Sequence, residues 1–402
     1  MGNFDAQAYL TMIMDTYYPI GADEKGGVTR LGYGPVEDEM HAAATAIATE
    51  EGYVIETDSV GNLYFSLTSA DEYHLVASHL DSVRNGGRFD GIIGVASAML
   101  LLKMVKEEGL HLPVKVGIFR CEESTNFLKA TLGSSLVTGK STKSDFTNLY
   151  SRAGQSLEEV FRERGHSMDL DVIAGVKGYL ELHIEQGRLL ESKGLRIGVV
   201  TSIAGNNRLE VTLTGLAEHS GATPMAIRED ALCAAAEVVL EVEAIAKSDP
   251  TATSVGTVGF LEISPNSLNV IPGGVHMTID LRDGDNDRIA QMRAESEAAI
   301  ARICKARSVH AEVRMVSSSP AVTLDPDVID GLAKATEEMG VDFQRMPSGA
   351  GHDAMNFADL CPTGMVFIPC EKGISHNPEE NADYADAVLG THIMLRYLRA
   401  TN

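Results

Sequence analysis

Histidine and carboxylate side chains stand among glycines directly after an apolar run in the first quarter of the chain. The stretch ASHLDSVRNGGRFDG, residues 77–91, contains His79, Asp81 and Asp90. Imidazole nitrogens and carboxylate oxygens are the ligands that zinc and similar divalent cations take, each held by further hydrogen bonds. The spacing His-x-Asp puts both side chains on one side of an extended backbone, so Asp81 is expected to orient His79. The stretch therefore predicts part of a metal site.

Asp90 also has a simpler explanation. It ends a glycine-rich loop where a helix is expected to begin, and a carboxylate at such a position is favoured as an N-cap. Its two oxygens could instead bridge two cations about 3.5–4 Å apart. The residues alone leave both interpretations open.

Two adjacent glutamates and two further histidines complete the candidate set. Glu122 and Glu123 follow a predicted strand, and neighbouring side chains there point in different directions, so one can bind a metal while the other holds the attacking water. His183 in ELHIEQG and His376 in KGISHNPEE each lie among polar residues at a junction of strand and loop. Acidic pairs and single histidines are common without such a function, and the chain has no HExxH or CxxC motif. The metal hypothesis therefore depends on folding to bring distant residues together.

Strands and helices alternate around these residues. The segment EDEMHAAATAIATEEG and residues 90–109 predict helices, and YHLVAS, VKVGIFR and YLELHI predict strands. Such alternation is typical of an α/β domain with a largely parallel sheet, in which ligands bind beyond the carboxyl ends of the strands. The candidate residues follow three of the predicted strands, so we expect them to meet at that edge.

The pattern changes about halfway along the chain. The strand NRLEVTLTGLA, a helix at 226–247, the strands SVGTVGFLEI and GVHMTIDLR and a helix near 285–307 predict an α+β unit with antiparallel strands, and the α/β pattern resumes near 320. We therefore predict an insertion into a discontinuous domain. The predicted catalytic, metal-binding domain comprises residues 1–205 and 319–402, and the inserted domain comprises residues 206–318.

The composition is that of a folded, acidic protein. The 402 residues include 57 acidic and 33 basic side chains, a net charge of −24, and 44% are hydrophobic. Because this charge repels polyanions, we expect no nucleic-acid partner and no membrane partner. The five cysteines form no close-spaced pair and no export signal is visible, which predicts a cytoplasmic location. The longest apolar run, GIIGVASAMLLL, is too short to span a bilayer and predicts a buried helix.

Seven motifs, in this order, resemble those of one enzyme group. They are SHLDSVRNGGRFDG, CEES, HIEQG, AEHSGATPM, NVIPGG with DLR, PSGAGHDAM and GISHNPEE, and GGVTRLGYGP near the start is similar too. Together they resemble the N-carbamoyl-L-amino-acid hydrolase and allantoate amidohydrolase group of dinuclear metal-dependent amidases, over about residues 25 to 380. The resemblance implies an α/β catalytic domain with a mostly parallel sheet and an inserted α+β domain that serves as lid and for dimerisation.

The resemblance also implies a metal centre. His79 and His183 would bind one cation, Glu123 and His376 would bind the other, and Asp90 would bridge the two. Zinc is the implied metal, with manganese, cobalt or nickel as alternatives, so the cofactors are two divalent ions per subunit.

Catalytic and substrate-binding roles follow from the same motifs. The resemblance makes Glu122 the general base and then acid, and Asp81 the residue that orients His79. It makes His219 of AEHSG reach the partner subunit's active site in a homodimer, where it would stabilise the oxyanion. Residues implied to hold the substrate carboxylate or line the pocket are Gln186, Asn269, Arg282, Ser348, Gly349 and Ala350.

The residue at position 126 leaves the substrate open, and the roles of two other residues also stay open. Related amidases have arginine where this chain has Asn126 in EESTNF, and a neutral amide cannot repeat the charge-assisted fork of a guanidinium. Without the neighbouring motifs, we would expect Arg282 only to form a surface ion pair with Asp280 or Asp283. His352 of GAGHDAM is compatible with a supporting or a donor role and is left unassigned.

The implied activity is hydrolysis of the N-carbamoyl (ureido) group of an N-carbamoyl-L-amino acid by metal-activated water. Metal coordination lowers the pKa of bound water to roughly 7, which suits attack on a ureide at neutral pH. Allantoate amidohydrolase is the alternative, and an aminoacylase or dipeptidase is a third. A non-catalytic binding protein on this fold would be expected to lose a ligand or the base, and neither is lost here.

Overall fold

The computed structural model describes residues 4–168 and 172–402, which form two compact units. The first unit comprises Met1–Thr201, Leu324–Met346 and Ala350–Asn402, and the second comprises Ser202–Thr323 and Pro347–Gly349. The chain thus divides after residues 201 and 323, where the sequence predicted divisions after 205 and 318, and a short segment near 348 joins the second unit.

Helices and strands alternate through most of the described chain. The helices are α1 (Ala6–Tyr17), α2 (Pro35–Glu50), α3 (Ile92–Glu107), α4 (Leu132–Val137), α5 (Lys143–Phe146), α6 (Leu157–Arg164), α7 (Leu189–Lys193), α8 (Ala231–Lys247), α9 (Asn286–Ala306), α10 (Pro326–Glu338), α11 (Ala354–Phe357) and α12 (Tyr384–Thr401). The strands are β1 (Val54–Thr57), β2 (Leu63–Ser66), β3 (Tyr73–His79), β4 (Val114–Phe119), β5 (Val176–Ile184), β6 (Ile197–Ile203), β7 (Gly205–Thr214), β8 (Val255–Ser264), β9 (Gly274–Asp283), β10 (His310–Ser319), β11 (Val322–Thr323), β12 (Phe343–Ser348) and β13 (Thr363–Ile368).

The larger sheet is parallel at its centre. Its strand order is β1-β2-β4-β3-β5-β13-β6-β11, with β12 pairing with β6. The neighbours β4, β3, β5 and β13 run parallel, whereas the outer pairs are antiparallel. Every residue of β3 is buried, as expected for a strand covered on both faces. The predicted α/β class with a mainly parallel sheet is confirmed.

Helix α3 packs tightly against the centre of this sheet. It contains the GIIGVASAMLLL run, and nearly all of its residues are buried, as the sequence predicted. At Gly94 an added Cβ would lie 2.4 Å from the carbonyl oxygen of Leu182 and 2.7 Å from the Cβ of Ser78. Glycine is therefore required where the helix approaches strands β3 and β5.

The second unit contains a four-stranded antiparallel sheet in the order β10-β7-β9-β8. Alternate residues of β7 are buried, and they join apolar residues of α8 and α9 in one core. The predicted start of α8 at residue 226 is wrong, because the side chain of Asp230 caps the helix by accepting from the backbone N–H of Leu232 and Cys233, both at 3.0 Å. Met225–Ile227 instead forms a separate 3-10 turn.

Two observations bear on the environment of the chain. No helix in residues 4–168 and 172–402 combines the length and apolar character needed to cross a membrane. All five cysteines carry free thiols.

Two histidines whose pKa is lowered by the charge of Arg120, His41 and His166, have ring nitrogens without a hydrogen-bond partner among the described residues. Both ring nitrogens of His41 on α2 and Nε2 of His166 have none within the described residues. Burial, followed by the positive charge of Arg120, lowers the pKa of His41 well below 6.5 and that of His166 to about 4. Because the unfolded chain binds protons below pH 6.5 that the folded chain does not, stability must fall as the pH drops through that value.

We expect the free energy of unfolding to decrease by about 2 kcal/mol between pH 7 and pH 5 on account of His41 alone. The variant His41→Leu, which cannot be protonated, should lose that share of the acid sensitivity in urea unfolding at the two pH values. His111→Asn, at an exposed position, is the matched control. An unchanged difference between the two pH values in His41→Leu would contradict the prediction.

Candidate metal centre and active site

Four parallel strands end at one edge of the central sheet, and the candidate residues lie there. Strand β3 ends at His79, β4 ends at Phe119 just before the glutamate pair, β5 ends at Ile184 and β13 ends at Ile368. Because these strands are neighbours and parallel, their carboxyl ends and the loops that follow them lie side by side. The fold thus brings together residues that are up to three hundred positions apart.

Two groups of potential ligands share one aspartate. His79, Asp90 and His183 form the first group, and Asp90, Glu123 and His376 form the second. Within each group, one ligand atom from every residue lies within 4.8 Å of the others. All of the side chains are buried except that of His376, which is about half exposed. The five residues predicted as metal ligands are therefore adjacent.

Each oxygen of Asp90 faces a different group. Oδ1 lies 3.1 Å from Nε2 of His183 and 3.6 Å from Nε2 of His79, and Oδ2 lies 3.2 Å from Nε2 of His376. His376 Nε2 is also 3.2 Å from Oε1 of Glu123. The alternative explanation of Asp90 as an N-cap is wrong, because the cap of α3 is Gly91 and no side chain caps that helix.

The ring orientations of the two buried histidines fit a cation. Nδ1 of His183 lies 2.9 Å from the carbonyl oxygen of Ile184, and Nδ1 of His79 lies 3.2 Å from Oδ1 of Asp81. Since both neighbours are acceptors, a neutral ring carries its proton on Nδ1 and its Nε2 lone pair faces Asp90, and Nε2 of His183 also accepts from the backbone N–H of Gly91 at 3.2 Å. Lone pairs and carboxylate oxygens facing each other at these distances repel unless a positive charge lies between them, so this donor set fits a divalent metal.

The electrostatics of the protein alone agree with this interpretation. Burial by itself would lower the pKa of His79 and His183, but the carboxylate charges, of Glu122 and Asp90 respectively, raise both above 6.5. Hydrogen bonds to Asp90 and Glu123 raise the pKa of His376 to about 11. Because a ring nitrogen that binds a cation must be free of its proton, protonation and metal binding compete at these three histidines.

Asp81 connects the first histidine to both glutamates. Its Oδ1 accepts the backbone N–H of Glu122 and its Oδ2 accepts that of Glu123, both at 3.0 Å, while Oδ1 also faces His79. The side chain is fully buried. The contact needed for the predicted orienting role is present, and the same carboxylate fixes the backbone of the glutamate pair.

Glu122 lies beside the two ligand groups without belonging to either. Its Oε2 is 3.8 Å from Nε2 of His79. Burial, with the neighbouring charge of Glu123, raises the pKa of Glu122 well above 4.5 despite the opposing effect of His79. A carboxylate in such surroundings is suited to taking up a proton and returning it.

The predicted substrate residues are divided between the two units. In the first unit, Gln186 donates from Nε2 to Oδ2 of Asp90 at 2.6 Å, and its buried Oε1 has no partner within the described residues. Ala350 also belongs to the first unit. Gln186 therefore retains an unused acceptor oxygen next to Asp90.

In the second unit, His219 and Asn269 lie on paired segments. His219 forms an isolated bridge with Val270, and the N–H of Ser220 donates to the carbonyl of Asn269 at 3.0 Å. Nδ1 of His219 accepts from the N–H of Gly221 at 3.0 Å. Since Nδ1 is an acceptor, a neutral His219 carries its proton on Nε2 and presents it as a donor.

Arg282 contacts both an aspartate and the predicted pocket loop. Its Nη2 donates to Oδ2 of Asp280 at 3.0 Å and its Nη1 donates to the carbonyl of Gly349 at 3.0 Å, next to the buried Ser348. The ion pair with Asp280 considered from the sequence is therefore present. With Nε also facing Asp280, three of the five N–H groups are used in the described residues, which leaves two for another acceptor.

Asn126 binds the backbone of a neighbouring loop. Its Nδ2 donates to the carbonyl of Gly32 at 2.9 Å, and the residue is buried. From the sequence, asparagine in place of arginine indicates either a different acyl group of the substrate or a rebuilt salt bridge, and both interpretations stay predictions.

Sequence reasoning missed two residues next to the ligands. Glu380 and Ser375 lie in the quoted motif GISHNPEE, yet only His376 was selected from it. The hydroxyl of Ser375 lies 2.9 Å from Oδ2 of Asp90 and 2.9 Å from Oε2 of Glu380. The sequence feature that could have indicated Glu380 is its position, four residues after the predicted ligand His376. His352, left unassigned, is buried with its ring centroid 4.5 Å from that of His183.

Comparisons with known proteins agree with these observations. Residues 75–400 match the model of peptidase family M20/M25/M40. The chain is 36% identical to the N-carbamoyl-L-amino acid amidohydrolase of Geobacillus stearothermophilus over 93% of each chain, and 34% identical to the allantoate amidohydrolase of Escherichia coli over 92% of each. A crystal structure of a hydantoinase/carbamoylase family amidase from Burkholderia multivorans matches with a TM-score of 0.92 and 33% identity, covering 98% of this chain and 97% of that one.

The family model covers most of the chain and the relatives cover nearly all of it, so the resemblance inferred from the motifs is confirmed. The relatives are named for the hydrolysis of carbon–nitrogen bonds outside peptides. The chain therefore belongs to peptidase family M20/M25/M40, as a carbon–nitrogen hydrolase of its N-carbamoyl-L-amino-acid and allantoate amidohydrolase group.

Proposed function

We propose that this protein removes the N-carbamoyl group of an N-carbamoyl-L-amino acid, yielding the amino acid, ammonia and carbon dioxide. The observation that supports this most is the pair of ligand groups that share Asp90, with Glu122 beside them and outside both. The relative from Geobacillus stearothermophilus carries the same name as the proposed activity.

We propose that His79 and His183 hold one divalent ion, that Glu123 and His376 hold the other, and that Asp90 contacts both. When bound, two such ions would supply water of lowered pKa and polarise the substrate carbonyl. Zinc suits a set of imidazoles and carboxylates, and manganese, cobalt or nickel would be accepted by the same donors.

Within this proposal the residues of the chain move the protons and orient the substrate. Glu122 accepts a proton from the attacking water and returns it to the leaving nitrogen. Asp81 keeps His79 in one tautomer and fixes the backbone of the glutamate pair. The unpartnered Oε1 of Gln186 accepts from a ureido N–H.

The substrate carboxylate is assigned to the second unit. Arg282 retains two N–H groups beyond those used by Asp280 and Gly349, which is enough for a bidentate contact. Asn269 is exposed and adds amide donors, and Ser348 and Gly349 of the same unit would line the pocket.

We also propose that the protein is a homodimer in which His219 acts at the partner subunit's active site. The second unit exposes large apolar side chains on the edge strand β8, including Phe260 and Leu261, which is typical of a surface that pairs with another chain. The exposed His219 presents Nε2–H, a donor matched to the charge that develops on the carbonyl oxygen.

A cytoplasmic location is proposed as well. Five free thiols, four of them buried, suit a reducing compartment.

An ammonia-release screen tests the proposed substrate class. N-carbamoyl-L-amino acids with different side chains, N-carbamoyl-β-alanine, allantoate and several N-acyl amino acids would be supplied to the purified protein. We expect the N-carbamoyl-L-amino acids to give the highest kcat/KM, in line with the activity for which the relative from Geobacillus stearothermophilus is named. Highest activity on allantoate would replace the proposal by its alternative, which the relative from Escherichia coli supports.

A chelator-treated sample is the control for this screen. It should be inactive and should recover when zinc, manganese or cobalt is returned. Full activity without any metal would remove the proposed mechanism, and activity on N-acyl amino acids alone would indicate an aminoacylase.

A further inference from the structure

Glu380 is a buried acid that contacts two of the three loops of the second ligand group, those of Asp90 and His376. Glu380 follows β13 in the segment that also contains His376, and only 3% of its surface is exposed. Its Oε1 accepts the backbone N–H of Phe89 at 2.7 Å and that of Asp90 at 3.0 Å. One carboxylate oxygen therefore fixes the backbone of the aspartate shared by the two groups.

The other oxygen of Glu380 fixes the loop of the histidine. Oε2 accepts from the hydroxyl of Ser375 at 2.9 Å and from the backbone N–H of His376 at 3.3 Å. The Ser375 hydroxyl also lies 2.9 Å from Oδ2 of Asp90. The two ligands, 286 positions apart in sequence, are thus connected through a single buried carboxylate.

The surroundings leave Glu380 little freedom to adopt another position. At Gly87 an added Cβ would lie 2.1 Å from Oε1, 2.2 Å from Cδ and 2.3 Å from Cβ of Glu380. The glycine of the loop NGGRFD is therefore needed so that the glutamate side chain can pass beside the backbone. Four donors and a closely packed backbone hold the carboxylate in place.

We propose that Glu380 is a positioning residue that holds Asp90 and His376 at the separation required by the metal of the second group. The proposal rests on the dinuclear centre of the proposed function, and it does not depend on which substrate is cleaved. The first group should depend on Glu380 less, because Asp81 and the carbonyl of Ile184 fix its two histidines independently.

The variant Glu380→Gln keeps the size of the side chain and replaces one of its two acceptor oxygens by an NH₂ group. A glutamine has one acceptor oxygen, so its NH₂ group must face either the amides of Phe89 and Asp90 or the donors in the loop of His376. Substitution of residues that hold metal ligands typically lowers metal affinity 10–100-fold. We therefore expect the metal affinity of the second ligand group to fall by about that factor, and the metal affinity of the first group to change less. The exposed neighbour gives a matched control, Glu379→Gln, which should bind both equivalents as the wild type does.

The measurement is a titration of the metal-free protein with Co²⁺ against a competing chelator, together with thermal unfolding of the metal-free form. The proposal would be overturned if Glu380→Gln bound both equivalents as tightly as the wild type does, or if both equivalents were weakened by the same factor.

If Glu380→Gln does not fold, Ser375→Ala removes only the hydroxyl link, and it should weaken the same equivalent by a smaller factor. An unchanged titration in Ser375→Ala would then overturn the proposal. A wild type that binds two ions but cleaves no ureide would refute the proposed function and leave this inference intact.

Discussion

Replacing Glu122 by glutamine is expected to lower kcat by roughly 10²–10⁴-fold while the protein keeps both metal ions. The substitution removes the group that takes the proton from water and delivers it to the leaving nitrogen. It leaves the two ligand groups complete, because Glu122 belongs to neither. The backbone N–H of residue 122 still donates to Asp81, so the loop should keep its conformation.

Kinetics on the best substrate from the screen, with metal analysis of the same samples, would test this prediction. Glu123→Gln is the matched control, because it alters the neighbouring position in the same loop but removes a ligand of the second group. That control should lose affinity for one equivalent of metal. Nearly unchanged turnover would show that Glu122 is not the base, and loss of metal would show that it helps to hold the ions.

The position of the metal centre could be predicted from the sequence because it depends on strand ends. His79 and His183 are residues of β3 and β5, and parallel neighbouring strands bring their carboxyl ends to one edge whatever the loops do. The role of Asp90 could not be predicted in this way, since a carboxylate at the start of a helix can be either an N-cap or a metal ligand. The structure separates the two, because Gly91 takes the cap position and Asp90 faces the histidines.

Local backbone conformation is the part that the sequence could not show. Cys121, Gln186 and His376 adopt left-handed conformations with φ of 54°, 58° and 55°, which residues other than glycine rarely take. Each lies at or beside a ligand or the candidate base, where the turn aims a side chain into the site. Such conformations persist only where the surroundings enforce them, and those surroundings come from distant parts of the chain. For Cys121, the carboxylate of Glu37 accepts its N–H at 2.8 Å.

The connection through Glu380 shows the same limit. The sequence displays an acid four residues after His376, but its partners Phe89 and Asp90 are about 290 positions away, and no local pattern indicates that pairing. Residues that hold ligands are thus harder to find than the ligands, because they contact the backbone of whichever loop lies beside them.

Mixing two inactive variants is expected to restore activity if His219 acts across a dimer. His219→Ala should by itself lose about 10²–10³-fold in kcat, since it removes a donor to the developing oxyanion. In a hybrid with a Glu122→Gln chain, one active site combines an intact Glu122 with an intact histidine from the other chain. Random exchange makes half of the dimers hybrid, each with one intact site, so about a quarter of wild-type activity should return.

The mixture and its controls together separate three roles of His219. Each variant mixed with itself is the control, and native mass spectrometry of the mixture establishes that chains have exchanged. If hybrids form and no activity returns, His219 serves the active site of its own chain, whereas full activity of His219→Ala by itself would show that this histidine has no role in catalysis. Recovery requires that Nε2–H, left as the donor by the bond from Gly221, meets a substrate held by another copy. In that case the exposure of His219 is explained, because its Nε2–H donates to the substrate bound by the partner subunit and to no group of its own unit.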